Sequence, residues 1–302
     1  MRRRALLLGL SAVACGPKAR PALPSAPAVR AAAELIPSDL DVVVRLDLAQ
    51  VKAALGVEAL AMVSRQVLAA GGDRQADELM VTSLLAADLV YLGYRPSPTW
   101  TPLDRVLALQ GRFEPLRRAP SGFSGATDLG ADVRYWDSRT PAPRDGAARI
   151  YALGDRGLAF VSEAEIDAVE RTLDGLGSAR RLEPPEEGTL SIAARPGLLA
   201  RVSGGGTLGD MLSDAKALQL VVQLDSEGVS LKAALVLDSA EKAQALAAAA
   251  QQVVSRLDGR LAANATLRSE GDRVVLSVKV GRAELAPALA CLRSRGPAGC
   301  GW

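Results

Sequence analysis

Hydrophobic and polar residues alternate along several short segments of the chain, the pattern of strands with one buried face. Asp41–Leu48 places alternate Val and Leu residues on one side and Asp41, Arg45 and Asp47 on the other. The same pattern predicts further strands at Asp88–Tyr94, Val106–Phe113, Val133–Asp137, Arg149–Leu153, Leu158–Val161, Thr189–Ala194, Leu218–Leu224, Val229–Leu237, Ala265–Leu267 and Val274–Val280.

Apolar residues at helical spacing predict helices after the strands that end at residues 48, 161 and 237. Ser162 with Glu165, and Asp238 with Glu241, each match a capping box, in which a side-chain oxygen accepts a hydrogen bond from the first turn. Shorter helices are expected at Gly197–Val202 and Ala283–Leu292.

The order of these elements predicts an α+β protein made of two related halves. The polar segment Gly177–Gly188 separates a first half at residues 34–177 from a second half at 188–302. Strand, helix, two strands, helix and strand follow one another, more clearly in the second half, which is the ferredoxin-like order. We therefore expect each half to be an antiparallel sheet with helices on one face.

The first fifteen residues, MRRRALLLGLSAVAC, combine a basic start, a short apolar stretch and small residues before a cysteine. The apolar stretch is too short to span a bilayer, so residues 1–14 are predicted to be a signal peptide. Ala12–Gly16 resembles the lipobox of bacterial lipoprotein precursors, although that family usually has Leu where Ala12 stands. The resemblance implies cleavage before Cys15 and acylation, for example by palmitate, of that residue. The alternative is an ordinary secretory signal cut after Ala14 or further on.

Residues 15–33 are predicted to form a tether that holds a folded domain away from the membrane. Proline recurs at Pro17, Pro21, Pro24 and Pro27 with Ala and Ser between, a composition that favours extended backbone. In lipoproteins of enteric bacteria an Asp after the cysteine retains the protein in the inner membrane. Gly16 is not that signal, so the resemblance implies the periplasmic face of the outer membrane.

The composition argues against most catalytic and metal chemistry. The chain has no histidine, which removes the commonest general base and metal ligand. Without Arg2, Arg3 and Arg4 the 36 basic residues fall to 33 against 34 acidic ones, a formal charge of −1, which gives no general attraction for nucleic acid. No serine lies in the G-x-S-x-G pattern of a nucleophile elbow. We therefore expect no enzyme, no cofactor and no metal site.

Three further residues are candidates for structural or binding roles. Cys291 and Cys300 are close enough in sequence to form a disulfide in an oxidising compartment, with unpaired thiols as the alternative. Trp100 lies in the proline-bearing loop Pro96–Pro102, where an exposed indole would mark a contact with a protein partner.

These features predict a membrane-anchored extracytoplasmic lipoprotein that binds or scaffolds another envelope component. The alternatives are a carrier of an apolar ligand in a groove between the halves and an extracytoplasmic hydrolase. Leu35–Leu48 is similar to the opening of secreted bacterial proteins that begin with Ile-Pro-x-Asp and a strand. That similarity implies no particular activity.

Overall fold

The structure is a computed structural model that describes residues 31–57, 74–95, 104–116, 118–130, 132–139, 146–176, 181–195, 215–224, 227–254, 264–281 and 283. The described residues form one antiparallel sheet of twelve strands with helices packed against it. The strands are β1 (Val42–Asp47), β2 (Ala87–Arg95), β3 (Asp104–Gly111), β4 (Thr127–Gly130), β5 (Val133–Asp137), β6 (Arg149–Leu153), β7 (Gly157–Val161), β8 (Leu190–Ala194), β9 (Ala217–Leu224), β10 (Gly228–Val236), β11 (Ala265–Glu270) and β12 (Arg273–Gly281). The α-helices are α1 (Leu48–Leu55), α2 (Arg74–Ala86), α3 (Ile166–Leu173) and α4 (Ala240–Val254).

The strands lie in the order β11-β12-β10-β9-β8-β1-β2-β3-β7-β6-β5-β4. This confirms an α+β fold with a large antiparallel sheet, in which strands outnumber helices. The two halves of the chain meet where β1 pairs with β8, from Val42 opposite Ala194 to Leu46 opposite Leu190. The halves therefore share one continuous sheet.

A polar network crosses this central pairing. Arg45 donates hydrogen bonds to the Asp47 carboxylate and to the backbone oxygen of Gly188, each at 3.2 Å. The Thr189 hydroxyl donates to the Gln50 side-chain oxygen at 3.2 Å and accepts from the backbone N–H of Leu224 at 3.1 Å. These side chains join the start of α1 to the first strands of the second half.

The sheet has two faces, which the strand registers define along its whole width. Face A carries Val43, Val106 and Val161, and it is covered in the first half by α3 and by a 3-10 helix at Ala32–Leu35. Face B carries Leu107, Phe160 and Trp136, and the residues packed on it come from α1, α2 and the segment after β3. In the second half α4 packs on face B against Leu235 and Val274.

The expectation of helices on one face is wrong for the first half, where helices cover both faces. The cause is visible in β7, whose five residues, GLAFV, are all buried. A continuous apolar run of this kind is typical of a strand that is covered on both sides.

The ferredoxin-like order is not confirmed. In a split βαβ unit the two strands joined by a helix have another strand between them. The unit β10–α4–β11 meets this condition, because β12 lies between its strands. In contrast, β1 and β2 are direct neighbours, and so are β8 and β9.

Both predicted capping boxes differ from the structure. Ser162 precedes a 3-10 turn at Glu163–Glu165, but its hydroxyl makes no capping bond and accepts from the backbone N–H of Arg105 at 2.9 Å. At the start of α4 the hydroxyl of Ser239 accepts from the N–H of Lys242 at 3.3 Å. Asp238, the predicted cap, instead pairs with Lys216 at 3.2 Å. Among the described residues, no helix has the length and apolar character needed to cross a membrane.

Candidate functional site

The site residues predicted from sequence lie outside the described residues. This holds for Cys15, for Trp100, and for Cys291 and Cys300. The structure instead shows a well-packed segment at residues 31–41, which overlaps the last three residues of the predicted tether and places Ala32 in the core. We call residues 31–41 the N-terminal segment.

The N-terminal segment is part of the core although it contains one short 3-10 helix and no strand. Ala32, Leu35, Ile36 and Leu40 are each exposed by no more than 1%. They pack on face A with Val43 and other residues of the first half. Burying four apolar side chains fixes the segment on the sheet, since each contributes roughly 1–3 kcal/mol when removed from water.

A glycine on β2 makes room for this packing. A Cβ added at Gly93 would lie 2.5 Å from Cδ1 of Leu40 and 2.7 Å from Cγ2 of Ile36. Both distances are shorter than van der Waals contact. Gly93 therefore lets the N-terminal segment approach the sheet more closely than any other residue type would.

Three arginines from separate parts of the chain bind the backbone carbonyls of the N-terminal segment. Arg195, just after β8, donates to the carbonyl of Leu40 at 3.1 Å and to that of Ser38 at 2.7 Å. Arg181 donates to the carbonyls of Ile36, at 3.0 Å, and of Glu34. The third, Arg95 at the end of β2, donates to the carbonyl of Asp39 at 2.9 Å.

These bonds satisfy carbonyl groups that no strand partner would reach. A buried carbonyl without a partner costs free energy, and a charged donor gives the stronger kind of hydrogen bond. The arginines thus replace the hydrogen bonds that a regular element would supply. We call Arg95, Arg181 and Arg195 the arginine clamp.

Arg95 also connects the N-terminal segment to the turn that precedes α3. Its guanidinium contacts Oδ2 of Asp39 and Oε1 of Glu165, both at 2.8 Å. The pKa of Arg95 is raised, chiefly by its hydrogen bond to Glu165. One cation therefore joins two carboxylates from different segments.

Glu165 is the most buried acid of this cluster. Its side chain is 2% exposed, and its Oε2 atom has no hydrogen-bond partner among the described residues. Burial raises the pKa of Glu165, an effect that the contact with Arg95 opposes without cancelling. The carboxylate is therefore held with one oxygen paired and the other desolvated.

A second cluster on face A fixes α3 to the sheet. The Arg149 guanidinium lies 4.1 Å from the ring centre of Tyr135 and donates to Asp137 at 2.6 Å and to Glu170 of α3 at 2.5 Å. It also donates to the hydroxyl of Tyr151 at 3.1 Å. Desolvation raises the pKa of Tyr151 to about 12, so this hydroxyl stays protonated near neutral pH.

The arrangement around the N-terminal segment is suited to holding one segment in place. Its polar groups are committed to one another: guanidinium groups to carbonyls, and Arg95 to two carboxylates. Within the described ranges, no group of three or more Cys, Asp or Glu side chains is placed to hold a metal ion.

Sequence patterns did not identify the arginine clamp. Arg95, Arg181 and Arg195 each bind backbone carbonyls that are more than fifty positions away in the sequence. Arginines near strand ends are common on solvated surfaces. The one signal in the sequence was the set of three large aliphatic residues Leu35, Ile36 and Leu40 in a stretch that matches neither helical nor strand periodicity.

Comparisons with known proteins support the fold alone. No family model matches the chain, and no curated protein matches it in sequence. The structure is similar to crystal form I of TP0453, with a TM-score of 0.51 and 15% identity over 88% of this chain and 98% of that chain. Crystal form IV of TP0453 gives a TM-score of 0.49 and 14% identity over 85% of this chain and 95% of that chain.

Proposed function

We propose that this chain is a lipid-anchored extracytoplasmic protein, without catalytic activity, that binds or scaffolds another component of the cell envelope. The observation that carries the proposal is the attachment of the N-terminal segment, whose first three residues are the last three of the predicted tether. Four buried side chains and the arginine clamp hold it on the sheet. A force on the tether would therefore be transmitted to the whole sheet and would not detach the N-terminal segment alone.

The anchor itself is proposed to be acylated Cys15, on the periplasmic face of the outer membrane. Support comes from the lipobox-like Ala12–Gly16 and from Gly16 in place of a retention signal. Two or more acyl chains give a stable anchor, whereas one chain gives marginal binding.

We further propose that the two halves are related copies of one plan. The strands of the first half lie in the order β1-β2-β3-β7-β6 outward from the centre, and those of the second half in the order β8-β9-β10-β12-β11. From the centre of the sheet outward, each half has a single strand, then a hairpin, then a second hairpin. In the second hairpin, the strand that comes later in the chain is the one nearer the centre of the sheet. The split unit β10–α4–β11 is the part closest to the ferredoxin-like order.

The partner contact is proposed to lie in the loop that contains Trp100. In the sequence this loop connects Arg95, the end of β2, to Asp104, the start of its partner strand β3. Arg95 belongs to the arginine clamp, so a partner bound at this loop would lie next to the N-terminal segment.

A carrier of an apolar ligand is the second candidate function. It is favoured by face B of the second half, where Leu220, Val222, Leu231 and Val278 are only partly buried. The β10 and β12 registers place these side chains on the same face as Leu235.

Membrane fractionation of cells that produce the protein tests the proposed anchor. Wild type is expected in the membrane fraction, and Cys15→Ser in the soluble extracytoplasmic fraction. Cys291→Ser is the matched control, since it removes a thiol without removing the lipobox, and it should remain with the membrane. If Cys15→Ser also remained with the membrane, the proposed anchor would be excluded.

Crosslinking in intact envelopes tests the proposed binding role. Wild type should recover a defined protein that Trp100→Ala recovers at a level reduced about tenfold, because truncating an aromatic anchor commonly costs 1–3 kcal/mol or more. Trp136→Phe serves as a control, since Trp136 is fully buried and cannot touch a partner. Equal recovery with Trp100→Ala would remove this loop from the contact.

A further inference from the structure

Face A differs in charge between the two halves of the sheet. In the second half its exposed side chains are mainly basic, and the registers place Lys232, Lys279, Arg268 and Arg273 on this face. Arg268 is paired with Glu270 at 2.6 Å and Arg273 with Asp272 at 3.9 Å, so the net positive charge of this surface comes from Lys232 and Lys279. Lys232 and Lys279 make no ion pair with any described residue.

In the first half the layer on face A is acidic. It consists of α3, the turn before it and the segment at residues 181–187, whose Leu182 packs against the core beneath. In this layer the exposed cation is Arg171, since Arg181 is engaged in the arginine clamp. The exposed carboxylates there are Glu163, Asp167, Glu170, Asp174, Glu183, Glu186 and Glu187, of which Glu170 is paired with Arg149.

The two regions also differ in height. The first half carries a helical layer on face A, whereas the described helix of the second half, α4, lies on face B. Side chains such as Lys232, Lys279 and Thr266 are consequently exposed on the sheet surface itself. Face A is thus a raised acidic region beside a lower basic one.

We propose that face A binds a second copy of this chain. A two-fold axis perpendicular to the interface would place the raised acidic layer of each copy on the lower basic surface of the other. An interface of this kind is isologous, so each attractive contact occurs twice and the assembly closes as a dimer. Complementary charge also sets the relative orientation, because the opposite arrangement would bring like charges together.

An anionic membrane surface is the alternative occupant of the basic region. It is disfavoured by the carboxylates on the same face, which a negatively charged bilayer would repel. A second copy uses both regions, whereas a membrane would use one and oppose the other. The interface is independent of the proposed lipid anchor, because it depends on charges of the folded domain.

A charge exchange between two variants tests the dimer. In Lys232→Glu/Lys279→Glu the basic region becomes acidic, and in Asp167→Lys/Asp174→Lys the acidic layer becomes more basic. Full-length proteins in detergent are measured by sedimentation and native mass spectrometry, alone and mixed. Each variant alone should dimerise at least about tenfold more weakly than wild type, and the mixture should recover wild-type affinity, since both contacts are restored in the mixed pair.

Three results would overturn the proposal. Wild type could stay monomeric at about 0.05 M salt, where screening is weak. The mixture of the two variants could fail to recover the wild-type dimer affinity while both variants keep the wild-type circular dichroism spectrum. Wild type could bind vesicles containing phosphatidylglycerol, and lose that binding in Lys232→Glu/Lys279→Glu, without dimerising. Dissociation of the wild-type dimer at about 0.5 M salt is the expected companion result.

Discussion

Guanidinium groups suit the contacts around the N-terminal segment because each one presents several N–H donors in a fixed plane. Arg195 uses two of its nitrogens for the carbonyls of Ser38 and Leu40, which lie two residues apart. A lysine ammonium is a compact charge on a flexible stem and does not reproduce this geometry. The chemistry of the side chain thus matches an irregular backbone that exposes successive carbonyls.

Removing one member of the arginine clamp should loosen the N-terminal segment. Arg195→Ala is expected to lower the free energy of unfolding by about 1–3 kcal/mol, because two partly buried carbonyls lose a charged donor. Hydrogen exchange at the amide of Leu40 should become faster. Arg195→Lys should lie between wild type and Arg195→Ala. The control is Arg156→Ala, whose side chain is 86% exposed and should leave both quantities unchanged.

Glu165 should make the stability of the protein depend on pH. Because the pKa of Glu165 is raised in the folded state, its neutral form is favoured there. The contribution of Glu165 to the free energy of unfolding is therefore fully present below the ordinary carboxyl pKa of about 4.3. This contribution is lost as pH rises through the raised pKa of the folded state.

Urea unfolding at a series of pH values measures this contribution. The stability of wild type relative to Glu165→Gln should fall as pH rises across that interval. Glu163→Gln, on the exposed side of the same turn, should show no such trend. A constant difference between wild type and Glu165→Gln at all pH values would contradict the assignment.

At the scale of elements, the approach of the N-terminal segment to β2 depends on one missing side chain. Gly93 lies opposite Val43 on β1 and Val106 on β3, at the middle of paired strands. A glycine in a strand interior usually weakens the strand, so its presence marks a place where another part of the chain comes close. Here that part is the pair Ile36 and Leu40.

Gly93→Ala is expected to destabilise the protein by about 1–3 kcal/mol, since the added methyl group would overlap with buried side chains. Thermal unfolding measures the loss, and exchange at the N-terminal segment should rise with it. Gly125→Ala is the control, because a Cβ there meets no atom within 4 Å. Equal stability of wild type and Gly93→Ala would show that the segment can move away without cost.

Sequence patterns predicted the strands better than the helices. The predicted strands match β5 and β6 at their observed bounds and overlap β9, β10, β11 and β12, because apolar residues recur along each strand and short polar turns separate them. The helix α2 was not predicted, since its apolar residues run into β2 without a glycine or proline between them. The strand β4 was missed because all four of its residues are exposed.

The candidate site could not be predicted in the same way. Its contacts join residues separated by up to 157 positions, and no local pattern specifies them. Ser162 and Glu165 show why a local pattern does not specify such contacts. Their spacing matches a capping box, but the neighbouring strand offers the Arg105 N–H and the end of β2 offers Arg95. Tertiary partners therefore replaced the local hydrogen bonds.

At the scale of the whole molecule, the central pairing of β1 with β8 should make the two halves unfold together. The N-terminal segment adds to this coupling, because Arg195 of the second half binds it while its apolar side chains pack in the first half. The backbone N–H of Arg195 also donates to the carbonyl of Asp41 at 2.8 Å.

Thr189→Val tests the coupling between halves. The substitution removes a hydroxyl that joins Gln50 to the backbone of Leu224, so the free energy of unfolding should fall by about 1–2 kcal/mol. Wild type should unfold in urea in one transition at all probes, and Thr189→Val should do so at lower urea. Thr127→Val on the exposed strand β4 is the control. Two separate transitions in wild type would show that the halves are independent.

The intact mass of protein extracted from membranes tests the lipid anchor most directly, because the proposed role of the N-terminal segment depends on what precedes it. We predict a chain that begins at Cys15 and carries the added mass of acyl groups on that residue. Fragmentation should locate this mass on the first residue. A chain that still begins at Met1, or one with an unmodified Cys15, would contradict the proposal that this protein is held at a membrane by lipid.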